Sequence, residues 1–465
     1  MKSKYIDLME ETLSEGMMRG KQYFTSGEHS LAAREIFKAS RVPGAEMLQV
    51  ENAYTDGFYG FGLGITPSSC YILSQMDAEE RHALLHHLYS KEGLGLSVGR
   101  ICIGSCDYSP EIYTYDDVPF DTELKHFSVE RDEKYIIPMI KEILEINPDL
   151  YLLASPWSPP HWMKTGGSIC GGYMRDEYLE CYTNYILKFV QSYAAYGIRI
   201  SAITPQNEPE NKDGHMPTCA WHPATEANFV RMMREKFAEH SLDIKIWMYD
   251  HNFDGVDRVV WSLENYDGLL DACDGVSFHY YAGAIEQTRC ILERFPKLEL
   301  HFTEGGPRLT QNYDTDWCKW GLMAIKALKM GYRSFMGFNV ILDELGAPNV
   351  GPHIGICGGF VTKDLCSGEL RYSGQYKAFS HIAPYITPAS KIYPISVSEA
   401  FNMCISHYPK FDRVIEGVLI EQEDGKRVAV LVNPNDHGMQ VQIEIGGALW
   451  CVELQPESVS TVVVE

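Results

Sequence analysis

The sequence predicts an α/β fold, a (β/α)8 TIM barrel with an attached small β-sandwich domain, and three observations predict it. Between about residues 57 and 385, eight short β-rich runs alternate with longer segments whose apolar residues recur at helical spacing. Polar and aromatic residues interrupt the chain where those runs end. Past residue 386 the rhythm changes to short strands separated by tight turns.

The β-rich runs are 57–65, 95–103, 150–155, 200–205, 244–250, 275–281, 298–304 and 334–341. Helical segments between them include 77–91, 131–146, 177–196, 225–240 and 316–330. Asp77 and Thr225 are expected to cap their helices, and Gly93 and Gly331 to follow the ends of two others. Eight β/α units over roughly 330 residues suit a closed barrel better than an open doubly wound sheet. In such a barrel, chemistry belongs where strands end. There the chain places Cys106-Asp107, Ser155-Pro156-Trp157, Asn207-Glu208-Pro209, His279-Tyr280-Tyr281 and Glu304-Gly305-Gly306. Near the C-terminus, runs 414–422 and 427–433 flank the turn Glu423-Asp424-Gly425, a hairpin of the sandwich. About 80 residues is short for a complete sandwich, so the segment before residue 50 is expected to add strands to it. The expected organisation is therefore an N-terminal segment 1–50, a catalytic barrel 51–385 and a C-terminal β-sandwich 386–465.

The 465 residues hold 40 Lys plus Arg against 63 Asp plus Glu, a formal charge of −23 that disfavours nucleic acid and anionic membrane surfaces as partners. A 12% aromatic content is high enough to supply flat ligand-facing surfaces. Residues 1–30 show no apolar signal core, and no apolar run is long enough for a membrane span. The 13 cysteines include no C-x-x-C pair and read as reduced thiols, so a cytoplasmic location is expected.

The strongest chemical signal is a pair of carboxylates. Thr204-Pro205-Gln206-Asn207-Glu208-Pro209 closes the fourth run, and His301-Phe302-Thr303-Glu304-Gly305-Gly306 closes the seventh. Strands four and seven face each other across a barrel mouth, so the two side chains can approach one ligand from opposite sides. Glycoside hydrolysis needs such a pair: one carboxyl protonates the leaving oxygen while the other attacks or activates water. Asn207, next to Glu208, is placed to bond a sugar 2-hydroxyl.

These motifs resemble glycoside hydrolase family 30 of the clan A glycosidases, within the branch related to glucosylceramidase. The resemblance runs from about residue 57 to the C-terminus. It is carried by Gly60-Phe61-Gly62, by Arg100 and Ser105-Cys106-Asp107-Tyr108-Ser109, by Tyr113-Thr114-Tyr115, by the long segment from Ala154 through Ser155-Pro156-Trp157 to Thr165, and by Asn207-Glu208-Pro209 and Thr303-Glu304-Gly305. It implies a retaining mechanism without metal or organic cofactor, with Glu208 as acid/base and Glu304 as nucleophile. It further implies that Asp107 and Trp157 hold hydroxyls of the terminal sugar and Asn207 its 2-hydroxyl. His279 and Tyr281 would lie near the nucleophile, and Arg100 beneath the carboxylates would keep Glu304 ionised. Tyr280 competes with Tyr281 for its role; the motif favours Tyr281. Where glucosylceramidase-like sequences carry Trp on the eighth strand, this chain has Phe338, which loses an indole donor in the sugar pocket.

The expected substrate is a small glycoside or oligosaccharide, cut from its end: a β-glucoside first, a β-xyloside or β-fucoside as alternatives. Two other classes fit the sequence less well. A non-catalytic sugar-binding relative is disfavoured because both carboxylates, Asn207 and Arg100 are present. A serine esterase is disfavoured because Gly95-Leu96-Ser97-Val98-Gly99 precedes its strand instead of following one. His82 and His86 lack the intervening Glu of a zinc protease helix.

Overall fold

The computed structural model describes residues 19–27, 29–43, 45–397 and 414–464. Most of the stretch read for a signal, and the first part of the 1–50 segment, lie outside them. Two compact units divide the chain: residues 57–388, and a second unit built from 1–56 with 389–465.

The second unit begins with β1 (Arg19–Ser26), β2 (His29–Phe37) and β3 (Glu46–Val50). The barrel unit follows with β4 (Gly60–Ile65), β5 (Val98–Ile103), β6 (Tyr151–Pro156), β7 (Ala202–Ile203), β8 (Lys245–Asn252), β9 (Gly275–His279), β10 (Glu299–Glu304) and β11 (Ser334–Gly337). These eight strands are all parallel and close into a barrel when β11 pairs with β4, Ser334 opposite Gly60. All six residues of β4 are buried, and Gly62 is required there: a Cβ would stand 2.0 Å from the Val98 carbonyl oxygen of the next strand.

The N-terminal end of the barrel is filled by a stack of rings. Tyr59 lies on Tyr151 at 4.8 Å, Tyr151 on Trp247 at 5.8 Å and Trp247 on His301 at 3.4 Å, with interplanar angles of 18°, 4° and 10°. Tyr59 and Lys245 both donate to Glu299 Oε1, at 2.7 and 2.6 Å. This leaves the C-terminal mouth for ligands.

Several elements differ from the sequence reading. The eighth run leaves the barrel at Phe338, and Ile341–Asp343 joins a separate three-stranded sheet as β12 with β13 (Val361–Lys363) and β14 (Leu370–Tyr372). The segment 131–146 is a 3-10 turn, Glu130–Lys134, then a helix, Ile136–Ile146. Pro138 explains the break, because a continuous helix would need its missing N–H and would crowd the Lys134 carbonyl. Asp77 does cap its helix, accepting from the backbone of Glu79 and Glu80 at 2.9 and 3.3 Å. Thr225 does not: Pro223 starts that helix one turn earlier with His222 as cap, and the Thr225 hydroxyl donates to Asp176 at 2.7 Å.

The chain returns to the second unit through β15 (Lys391–Ser396), β16 (Glu416–Glu421), β17 (Arg427–Asn433), β18 (Met439–Ile445), β19 (Ala448–Leu454) and β20 (Ser458–Val464). Its nine described strands run in the order β19-β18-β3-β15-β16-β17-β20-β1-β2. β3 forms the corner, pairing with β18 over its first residues and with β15 over its last. The two ends of the sheet meet where Ala39 N donates to the Leu449 carbonyl at 2.8 Å. Ile36, Leu48, Leu419, Leu431, Ile443, Trp450 and Val462 share the core inside it.

Candidate active site

At the barrel mouth, two bulges flank β9. Tyr249 pairs with Ser277 and His251 with Phe278, which leaves Asp250 unpaired; Phe302 pairs with Phe278 and Glu304 with His279, which leaves Thr303 unpaired. Such bulges re-aim side chains, and here they turn Asp250 inward and bring Glu304 to the rim. Three residues here also hold strained backbone, with positive φ at Glu208 (51°), Tyr249 (75°) and Asp250 (54°). Glu208 is fixed from behind: its backbone N–H donates to the Asp250 carbonyl at 3.0 Å, and that of Asn207 to the Pro156 carbonyl at 2.8 Å.

Arg100, on β5, is 1% exposed and organises the charges. Its guanidinium donates to Glu304 Oε2 at 2.6 Å, to Asn207 Oδ1 at 2.6 Å and to Asp250 Oδ2 at 2.8 Å. Burial opposes the charge on Asp250, but Arg100 and the bonds from His279 and Thr303 outweigh it and hold the carboxyl far below its ordinary value. The other oxygen of Glu304, Oε1, accepts the Tyr281 hydroxyl at 2.9 Å. Tyr280 turns away, donating to the Gly306 carbonyl at 3.2 Å and packing on Trp320. Burial and the Glu304 charge push the Tyr281 hydroxyl upward, so it stays a neutral donor.

His279 is fully buried between three carboxylates. Nδ1 lies 3.3 Å from Glu208 Oε1, and Nε2 lies 3.2 Å from Asp250 Oδ1 and 3.9 Å from Glu304 Oε2. Burial disfavours its charge, yet Glu304, Asp250 and Glu208 raise it to about 9. Correspondingly, burial would raise Glu208, but the His279 bond, His251 and the Asn211 amide at 2.8 Å bring it to about 2. The proton of this pair therefore sits on the imidazole.

A cavity of about 470 Å³ opens above these groups, lined by Asp107, Trp157, Asn207, Glu208, Tyr281, Glu304 and Phe338 among others. Arg100 holds the Asn207 carbonyl oxygen, which leaves the amide N–H groups for a ligand. The Arg100 guanidinium packs against both Trp157 and Phe338, 4.6 and 5.9 Å from their rings, and the two rings stack on each other at 6.1 Å and 15°. Phe338 also meets Tyr108 edge-on at 5.4 Å. Asp107 is 5% exposed, and burial together with the Glu304 and Glu208 charges raises its carboxyl well above the ordinary range.

One oxygen each of Glu208 and Glu304, and a nitrogen of His279, come within 4.8 Å of one another. As a metal site this trio is poor: both His279 nitrogens are engaged by carboxylates, and the Arg100 cation already occupies Glu304. As a pair of carboxyls, with one oxygen of each within 4.8 Å of the other, Glu208 and Glu304 are close enough to act on the same glycosidic bond.

Residues 58–307 match the glycosyl hydrolase family 30 TIM-barrel domain. The chain belongs to glycoside hydrolase family 30. Among its relatives in the family, an endo-1,6-beta-D-glucanase of Neurospora crassa is 27% identical over 423 residues, covering 86% of this chain and 84% of that one. The lysosomal acid glucosylceramidase of Mus musculus is 33% identical over 202 residues, 41% of this chain and 39% of the relative. In three dimensions the chain superposes on the endo-beta1,6-glucanase BT3312 with a TM-score of 0.82 at 25% identity, covering 96% of this chain and 99% of that one. This family 30 chain is thus a glycoside hydrolase.

Sequence reasoning passed over Asp250, His251 and Asn211. Asp250 was the last residue of the fifth run, the same strand-end position that drew attention to Glu208 and Glu304. His251 lines the cavity, its Nε2 3.8 Å from Glu208, and burial lowers its proton affinity.

Proposed function

We propose that this glycoside hydrolase removes terminal β-linked glucose with net retention, Glu304 acting as nucleophile and Glu208 as acid/base. The observation that carries the reading is the pair of carboxylate oxygens within 4.8 Å at the mouth, one residue gripped by Arg100 and Tyr281, the other within reach of a proton held on His279. In the first step Glu304 attacks the anomeric carbon, and the proton passes from His279 through Glu208 to the leaving oxygen. In the second, Glu208 accepts a proton from water as the glycosyl ester is hydrolysed. The Arg100 and Tyr281 bonds keep the nucleophile oriented, and Asn207 offers its amide to the 2-hydroxyl. Asp107, with its raised carboxyl, and Trp157 serve the remaining hydroxyls.

Likeness to the Neurospora crassa and BT3312 enzymes favours a second reading, internal cleavage of β-1,6-glucan. Digesting linear β-1,6-glucan and following products over time tests both. Glucose alone from the outset fits terminal removal, and an early ladder of oligosaccharides fits internal cleavage. No release from β-1,6-glucan or from aryl β-glucosides overturns the glucose assignment.

We also propose a cytoplasmic location, supported by the twelve described cysteines, none of them in a disulfide, and by the acidic composition of the chain. Fractionation of cells expressing it tests that placement.

A further inference from the structure

Arg308 lies just beyond Glu304 in the loop that leaves β10, and it lines the same cavity. Its backbone is fixed. It bridges to Gln311 and to Cys357, while Leu309 N donates to the Ile356 carbonyl at 2.9 Å and Gly358 N to the Pro307 carbonyl at 2.9 Å. Tyr280 and Cys357 feel its charge, but among the described residues the guanidinium donates no hydrogen bond and has no carboxylate within 4.0 Å. Other partly buried arginines of this chain are paired, Arg81 with Glu142, Arg234 with Asp274 and Arg258 with Glu226.

The missing partner is not for want of acids. Asp107, Glu208 and Glu304 line the same cavity, yet Arg100 and Tyr281 hold Glu304, and Asn211 and His279 hold Glu208. His353 is in the same wall, and among the described residues its ring bonds to no side chain. A guanidinium held partly out of water on a rigid loop gains most from an oxyanion, which it grips through paired N–H donors.

We propose that Arg308, with His353 in the same wall, binds an anionic group on the substrate, so that the site selects acidic β-glycosides carrying a carboxylate or a phosphate. The proposal rests on the reading of the cavity as a β-glycosidase site. It adds a cation that discriminates among glycosides to the groups that act on the glycosidic bond.

The test compares matched pairs in the wild type, Arg308→Gln and Arg308→Lys. One pair is the β-glucoside of 4-hydroxybenzoate and that of its primary amide, which places the anion on the aglycone. The other is 4-nitrophenyl β-glucoside with and without a 6-phosphate, which places it on the glycone. The readout is the ratio of kcat/KM for acid over neutral partner, divided by the same ratio in the variant, so intrinsic reactivity cancels. For at least one pair, Arg308→Gln is expected to lower the ratio about tenfold or more, Arg308→Lys less, and the effect shrinks as salt rises. The pair that responds identifies where the anion sits. A ratio that neither substitution moves, in either pair, overturns the proposal. If no glycoside is turned over, the β-glycosidase reading fails, and binding of inorganic phosphate and 4-hydroxybenzoate by calorimetry decides separately. Binding weakened about tenfold in Arg308→Gln upholds the anion site, and binding that is absent or unaltered overturns it.

Discussion

Thr303 Oγ1 donates to Asp250 Oδ1 at 2.6 Å, so the two residues left unpaired by the bulges on either side of β9 are bonded to each other. Asp250 also accepts from Arg100 at 2.8 Å, from Thr204 Oγ1 at 2.8 Å and from Ser155 Oγ at 3.0 Å, while its carbonyl receives the Glu208 N–H. One buried aspartate therefore ties the Arg100 cation to the backbone that presents Glu208. Asp250→Asn leaves the guanidinium, 1% exposed, with one fewer countercharge. The expected cost is about 3–5 kcal/mol. Thermal or denaturant unfolding should show that loss together with a drop in kcat, and an unchanged midpoint would remove Asp250 from its structural role.

The two glutamates are separable by leaving group. Glu208→Ala should depress turnover most for poor leaving groups, while a dinitrophenyl glycoside still forms the glycosyl-enzyme and added azide yields the β-glycosyl azide. Glu304→Ala should abolish turnover of every β-glycoside, and azide entering from the vacated face should give the α-azide. NMR of the azide products reads the assignment, and the opposite stereochemistry in the two variants would reverse it.

The shared proton of His279 and Glu208 sets an alkaline limit. His279 is raised to about 9 and Glu208 lowered to about 2, so the pair holds one proton between those values and loses it as pH rises through about 9. The kcat/KM profile for a poor leaving group should fall on that limb. In His279→Gln the limb should move to lower pH, whereas a dinitrophenyl leaving group should be much less affected. A limb that stays in place would mean that His279 does not store the proton.

Phe338 is clamped where it lines the cavity. A Cβ on Gly64 would stand 2.6 Å from its ring, and Trp157 and Tyr108 cover two other sides. Phe338→Trp has little space to fill except the cavity, so the ranking of glucose, xylose and fucose aryl glycosides should change, with the smaller xyloside gaining on glucose. If stability fell while the ranking held, Phe338 would be a packing residue alone.

His381 is fully buried, and burial holds it down to about 3. The unfolded chain protonates this ring below about pH 6.5 while the folded protein does not. Its contribution is therefore complete above that pH, and each unit of acidification below it, down to about 3, costs about 1.4 kcal/mol. Unfolding midpoints measured from pH 7 to 5 should decline less steeply in His381→Gln than in the wild type.

The barrel was legible because each strand is a short apolar run punctuated by a polar residue at one end, and that punctuation also marks the mouth. Asp107, Trp157, Asn207, Glu208, Tyr281, Glu304 and Phe338 are all found in one cavity wall, since strand-end residues of a closed barrel have nowhere else to converge. What could not be read is what depends on register. The bulges that turn Asp250 inward leave no trace in an alternating pattern, and the eighth run continues apolar through Ile341 although the barrel has been left at Phe338. Arg308 and His353 lie on loops, where no periodicity announces which side chain faces the ligand.

The stacked rings of Tyr59, Tyr151, Trp247 and His301 stopper the barrel at the end opposite the carboxylates. With that end closed, traffic runs in and out through a common doorway. A departing aglycone and the acceptor that replaces it must pass the same threshold in turn. Under the proposed retaining mechanism, the longer the first lingers there, the longer the glycosyl-enzyme waits, and a crowded doorway favours its capture by another sugar hydroxyl over its release to water.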